Sequence, residues 1–492
     1  MPLPPGQLFN HLSSIVSLNH NSGLPNRIRY QKSKFKIIRK LFVTSCSSFA
    51  LFFPQIFNEL VILYYASLLQ STYQFASVVF TLALGNVLIT KVTVSCLSPF
   101  QTKIKEFLML RQNRKIRDLY QKTYLLMISW TGFVLLILFI FGFSLIYFGF
   151  SIDLGDSILF FMIITSLPYY ITNLLFNLIR SLNLSNRMAI IPSIGAFMKM
   201  LLNLTINMTF YNSFGSAILW IGVARSLSEI IITTPLYVYM QLKRPFNQIF
   251  TSEWTMTIFK NLLQTLKLLI LKGSIIYLER IPLELLTVVS LFLNQPELTI
   301  IQGCLSAYIN LLLVIPFSIC SAMSKHLKKA VQEGAEFKAR NYALNGVLLC
   351  VISCILLTGM NLFFARFVSK IFAQNVQIEG TIIKLLENVN IAIWGEVSFN
   401  IISIMLRNLM KEEFILKSLV IVFYLIGLPL SIILCFVFQM KLEGLWFGYL
   451  MSLFLINFVL LRKLLNFDWD REFRNVYFSN KKGHVNEVLL EL

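Results

Sequence analysis

The sequence predicts an all-α polytopic membrane protein, with twelve transmembrane helices in two six-helix lobes related by a parallel repeat. Three observations carry that expectation. Of the 492 residues, 56% are hydrophobic and only 13% are charged, where a soluble domain would carry roughly 25% charge. Twelve apolar runs each reach the ~20 residues that a ~30 Å hydrocarbon layer requires. The basic residues collect in alternate loops between those runs, the pattern of a membrane protein whose basic loops stay in the cytosol.

The runs lie at 41–69, 73–98, 121–149, 157–180, 188–211, 215–241, 266–293, 298–323, 341–365, 381–406, 414–438 and 444–464. Inside hydrocarbon an open-ended chain satisfies its backbone only as a helix, so each run is read as one. Seven bases from Arg27 to Lys40 precede the first run, and seven from Lys103 to Lys122 follow the second. Lys243, Arg244 and Lys260 follow the sixth, Lys325 to Arg340 the eighth, and Arg407, Lys411 and Lys417 the tenth. The stretches 70–72, 153–156, 212–214 and 294–297 carry none, and Arg366 with Lys370 is the exception. Both termini are therefore expected in the cytosol. The plasma membrane and an internal organelle membrane fit equally well.

The hydrophilic stretch 243–265 divides the chain. A disordered cytosolic tail is expected over 1–37, one lobe over 38–242, a linker over 243–265, a second lobe over 266–465 and a second tail over 466–492. The halves echo each other. Arg180 and Arg407 end the fourth and tenth spans, and Gly215 with Trp220 answers Gly444 with Trp446. Six spans per half start both halves on the same side, which makes the repeat parallel, a plan shared by many secondary transporters.

Several classes are excluded. The net charge of +20 is explained by loop topology rather than by nucleic acid. No HExxH, Walker loop or GxSxG is present, and of the four histidines His11 and His20 lie in the tail, so neither an enzyme nor a metal site is expected. No cleavable signal is read in the first 26 residues. The seven cysteines, none in a CxxC, read as small packing residues.

Charges at membrane depth need a partner or a task. Arg225 and Glu229, four apart in the sixth span, are expected to pair. Glu59 either pairs with Lys91 or serves as a relay in the N-terminal lobe, and Lys199 has no partner in its own helix. In the seventh span Pro282 should kink the helix by removing a donor to the carbonyl of Leu278. Two arrangements are open around it. Arg280 pairs with Glu284 at four-residue spacing and leaves Glu279 as the free acid, or Arg280 faces a cavity alone and favours anions. In the tenth span Glu396, Asn400, Ser403 and Arg407 form one polar stripe. An acid there without a base takes up a proton, because desolvation penalises its charged form. Glu396 is then either an exchanging proton site or a packed, permanently protonated acid.

At these residues the chain resembles the multidrug and toxic compound extrusion (MATE) family, in its eukaryotic branch, within the wider multidrug/oligosaccharidyl-lipid/polysaccharide exporter superfamily. Leu278-Glu279 and Glu284-Leu285-Leu286-Thr287 fit the family's paired acids, and Glu396 precedes Arg407 by the family's eleven residues. The turn Leu293–Leu298, Ile315-Pro316-Phe317, Gly427-Leu428-Pro429, Gly444-Leu445-Trp446-Phe447-Gly448 and Asp468-Trp469-Asp470 are also similar. The likeness covers roughly 38–475 and is most specific in the second half. The first half departs, with Ala66-Ser67-Leu68-Leu69 in place of Gly-His-Leu-Gly, and in the seventh span Arg280-Ile281 stands for Trp-Trp.

The resemblance implies a monomeric antiporter in the lipid bilayer that exports small organic solutes, cationic or xenobiotic, in exchange for protons. It has no cofactor, and sodium is the alternative coupling ion. Glu279, Glu284, Glu396 and Asn400 would serve coupling and substrate binding, with Arg280 and Pro282 modulating them. A lipid-linked saccharide flippase of the same architecture, or a relative without transport, is the alternative.

Overall fold

The computed structural model describes residues 24–69, 71–148, 156–185, 190–214, 218–242, 259, 261–373, 375–409 and 411–466. Over these the chain runs as twelve helical rods. They are α1 (Leu24–Ser67), α2 (Thr72–Met109), α3 (Asn113–Phe148), α4 (Asp156–Ser185), α5 (Ile190–Phe214) and α6 (Ile218–Leu242), then α7a (Leu262–Arg280) with α7b (Pro282–Leu293), α8 (Pro296–Gln332), α9 (Glu336–Phe372), α10 (Val376–Asn408), α11 (Glu412–Val437) and α12 (Lys441–Leu465). Ten of the helices are long and apolar enough to cross a membrane. The protein is an integral, multi-pass membrane protein.

Helix α1 begins at Leu24, inside the segment read as a disordered tail. Lysine and arginine are good helix formers, so the hydrocarbon helix extends into its basic flank. Likewise α7a starts at Leu262, within the stretch read as linker. Gly215, Lys243, Arg244 and 468–470 lie outside the described residues.

In the first lobe α1 packs on α5, and α4 on α3 and α6; in the second α8, α9 and α10 pack together and α12 covers α10 and α11. The two most extensive seams between the lobes are α1 on α8 and α2 on α7a. Under the repeat α1 corresponds to α7 and α2 to α8, so the two seams are one contact made twice. All described cysteines are free and buried except Cys46, which is exposed.

Two helices carry wide π-type turns, α2 at Asn86–Thr90 and α11 at Val420–Gly427 and Ile433–Val437. Such turns loosen backbone carbonyls, and side chains take them up. Trp130 Nε1 donates to the Leu88 carbonyl at 2.9 Å, and the Tyr277 hydroxyl to that of Val87 at 3.2 Å.

Helix α12 lies directly on the backbone of α11. A Cβ on Gly448 would stand 2.6 Å from the nitrogen and Cα of Ser431. Gly448→Ala is therefore expected to cost about 1–3 kcal/mol by overpacking, read as a lower unfolding temperature in detergent. Gly359→Ala, with open space around it, should not lower that temperature, because alanine is the better helix former.

The basic ends of α1, α2, α8 and α10 share one side. A tag in the 325–340 loop is expected to be cytosolic and one at 294–297 not, because only the first stretch is rich in lysine. Reagent access to the opposite member of the pair would reverse the orientation.

Candidate functional site

A cavity of about 3080 Å³ lies between the lobes, with walls from α1, α2, α4, α5, α7a, α8 and α10. Its mouth is ringed by Lys36, Lys105, Lys328 and Lys417, and its lining includes Glu59, Glu279 and Glu396. The opening thus faces the basic side of the molecule.

The break in the seventh rod shapes one wall. Helix α7a stops at Arg280, and Pro282 occupies the first turn of α7b. Proline has no N–H for the carbonyl of Leu278, and the Tyr424 hydroxyl of α11 donates to that carbonyl instead, at 2.7 Å. The carbonyl of Arg280 accepts from Lys91 Nζ at 3.2 Å. The kink is held by two side chains far away in sequence.

These contacts rearrange the expected pairs. Lys91 pairs with Glu284 at 3.2 Å, not with Glu59. The broken helix end offers it a carboxylate and a carbonyl together, more than Glu59 alone would offer. Glu59 instead accepts from Asn86 Nδ2 at 3.1 Å. The expected Arg280–Glu284 pair does not form. The two residues belong to different helical segments, so a spacing of four no longer stacks them. Arg280 is exposed to the cavity, its Cζ 6.0 Å from the centre of the Phe52 ring.

Glu279, expected as the free acid, is paired. It accepts from Arg407 Nη2 and from the Ser403 hydroxyl, the latter at 2.7 Å. The polar stripe of α10 therefore splits. Its lower half, Ser403 and Arg407, is committed to α7a. Its upper half, Glu396 and Asn400, lines the cavity.

Glu396 is buried and accepts from the Tyr449 hydroxyl of α12. Among the described residues no base stands within ion-pairing distance of it, so it keeps the character read from the sequence. Asn400 Nδ2 donates to the Glu396 carbonyl at 2.8 Å.

In the first lobe Glu229 pairs with Lys199 at 2.7 Å rather than with Arg225. The α5–α6 seam brings the lysine head directly to the carboxylate. Arg225 reaches to α4, where its Cζ lies 3.6 Å from the centre of the Tyr169 ring.

The two lobes carry the same frame with different chemistry. Tyr169, Asn173 and Arg180 repeat the spacing of Glu396, Asn400 and Arg407. Arg180 donates to Gln55 of α1 at 2.7 Å, as Arg407 does to Glu279 of α7a. Arg225 of α6 meets Tyr169, as Tyr449 of α12 meets Glu396. The first lobe has therefore no acid at the position of Glu396. Tyr424, Tyr449 and Gln55 went unread in the sequence. The equal four-and-seven spacing around Arg180 and Arg407 was the signal that would have found this frame.

No family model matches the chain. Among curated proteins it is similar to an uncharacterised transporter of Saccharomyces cerevisiae, 28% identical over 202 residues, covering 39% of this chain and 28% of that protein. It is also similar to human multidrug and toxin extrusion protein 2, 25% identical over 156 residues, covering 32% of this chain and 26% of that protein. The chain thus matches less than half the length of the curated relatives it resembles. The crystal structure of the eukaryotic MATE transporter AtDTX14 superposes with a TM-score of 0.74 at 15% identity, over 91% of this chain and 99% of that one. The resemblance read from the sequence holds, and the fold is that of the MATE transporters, twelve helices in two lobes.

Proposed function

We propose that this chain is a secondary active transporter that moves small organic solutes by alternating access, with protons as the coupling ion. It works as a monomer, since one chain supplies both walls of the cavity. The observation that carries the reading is Glu396, a buried carboxylate at the cavity wall with a hydroxyl donor and, among the described residues, no base in ion-pairing distance. A carboxylate so placed exchanges a proton with whichever side the cavity faces. The fold shared with MATE transporters supports the same reading.

The polar frame on α10 and the break in α7 give the second lobe the means to couple proton and solute. Loading or releasing the Glu396 proton changes its bond to Tyr449 and so the seating of α12 against α10. Glu279 and Glu284, each held by a base, keep α7 tied to α10 and α2. They act as positioning residues for the kink, not as proton carriers.

The test is flux in proteoliposomes holding a pH-sensitive dye. Addition of a transported solute should move protons in the opposite direction, and collapse of the pH gradient should stop uphill uptake. The reading fails if neither 1-naphthyl phosphate nor tetraethylammonium moves protons or responds to the gradient.

A further inference from the structure

The charges on the inner wall of the cavity do not cancel locally. Three bases and three acids close on one another as Lys91–Glu284, Lys199–Glu229 and Arg407–Glu279. Two arginines are left over. Arg180, from α4 of the first lobe, donates to the neutral amide oxygen of Gln55 at 2.7 Å. Arg280, the last residue of α7a in the second lobe, is exposed to the cavity. Among the described residues no carboxylate stands within ion-pairing distance of either. Glu59 and Glu396 also lack a base, but each is bonded to a neutral donor elsewhere on the wall.

The two guanidiniums converge on one ring. Their Cζ atoms lie 5.3 Å and 6.0 Å from the centre of Phe52 in α1. Two like charges thus face the same ring across the boundary between the lobes. A guanidinium does not give up its proton in a protein, so the pair cannot relieve itself by neutralising.

We infer that Arg180, Phe52 and Arg280 form a binding site for the phosphate group of an organic anion, gripped between guanidiniums of opposite lobes. This rests on the transporter reading and specifies its substrate class. Planar N–H forks match the oxygens of a phosphate and bind them in pairs. Glu279, bonded to Arg407, also acts on Arg280 through its charge, so the two guanidiniums are unpaired rather than isolated, and a dianion can bridge both where a single carboxylate matches one. The Phe52 ring provides a face for the organic part beside the phosphate. The lysines at the mouth would raise the local concentration of such a solute. A dianion between the arginines also removes a repulsion that resists approach of the lobes, so its binding favours closure of this face.

The test is direct binding of 1-naphthyl phosphate, followed by its fluorescence, to the full chain in phosphatidylcholine nanodiscs with no ion gradient. Wild type should bind it, and should bind phenyltrimethylammonium at least ~10-fold more weakly, because fixed cations repel it. Arg180→Gln and Arg280→Gln should each weaken the phosphate by about tenfold or more, as loss of a charge-assisted hydrogen bond implies. Lys384→Gln, exposed on α10 outside the cavity, should leave binding within about twofold. Arg280→Lys keeps the charge without the fork and should fall between, which covers a glutamine variant that fails to fold. Phosphatidic acid added to the discs separates the sources. Competition identifies a lipid headgroup as the natural anion, and its absence a water-soluble ester.

Binding that is indifferent to both arginines, or tighter for phenyltrimethylammonium than for the phosphate, overturns the inference. Proton-coupled flux without arginine-dependent binding would keep the transporter and discard this site. Binding without any flux would do the reverse.

Discussion

Glu396→Gln is expected to abolish proton-driven transport while leaving the protein folded. The amide oxygen of glutamine still accepts from the Tyr449 hydroxyl that now bonds Glu396, so α10 and α12 keep their contact. The amide has no proton to release near neutral pH. For exchange of one proton per solute at zero membrane potential, each pH unit sustains about a tenfold concentration ratio of the transported species. Wild-type vesicles should approach that ratio and Glu396→Gln vesicles should show none, while downhill exchange of labelled for unlabelled solute persists. Uphill uptake at the wild-type level by the variant would remove Glu396 from the coupling mechanism. Tyr449→Phe refines the test. It deletes the donor to Glu396 and should shift the pH at which transport is half-maximal, with the protein still able to exchange protons.

The second large effect is on stability. Lys199 and Glu229 form a buried pair, with side chains only 7% and 4% exposed. Lys199 also stands 3.1 Å from the centre of the Phe176 ring. Lys199→Met should leave Glu229 without its base and cost about 3–5 kcal/mol, the usual result of breaking a buried pair from one side. The measurement is thermal unfolding of detergent-purified protein. The double variant Lys199→Met/Glu229→Gln should recover most of the loss, because no charge is then left uncompensated. Equal damage from the single and double variants would mean that the lysine matters through packing against Phe176 and not through its charge.

The structure changes the weight of the individual acids. On sequence alone Glu279 and Glu396 share one role, as two membrane acids at family spacing. In three dimensions Arg407 and Ser403 claim Glu279, while Glu396 stands at the cavity wall bonded to a neutral hydroxyl donor. The same redistribution changes the setting of Arg280. Its pairing with Glu284 is one of the two arrangements the sequence leaves open, and Lys91 occupies Glu284 instead. The arginine is left facing the cavity from the second lobe, opposite Arg180 from the first.

Much of the architecture was legible without coordinates. The twelve spans and the division into six and six follow from apolar run length, and the expected orientation follows from loop charge. Both are local quantities that a bilayer reads segment by segment. The kink at Pro282 was legible for the same reason, since a missing N–H is a property of one residue. Helix ends were less so. The start of α1 at Leu24 was read too late, because a basic flank looks like a tail until the helix beneath it is seen.

The sequence by itself thus determined the class of protein, the order of its helices and which charges lie at membrane depth. The tertiary structure alone decided which charge meets which. Partners such as Lys91 and Glu284, or Arg407 and Glu279, come from helices far apart in the chain. Spacing rules describe one unbroken helix only. Where α7 breaks after Arg280, the rule that would pair it with Glu284 loses its geometric basis, and each side chain goes to the nearest group that the other helices bring to it.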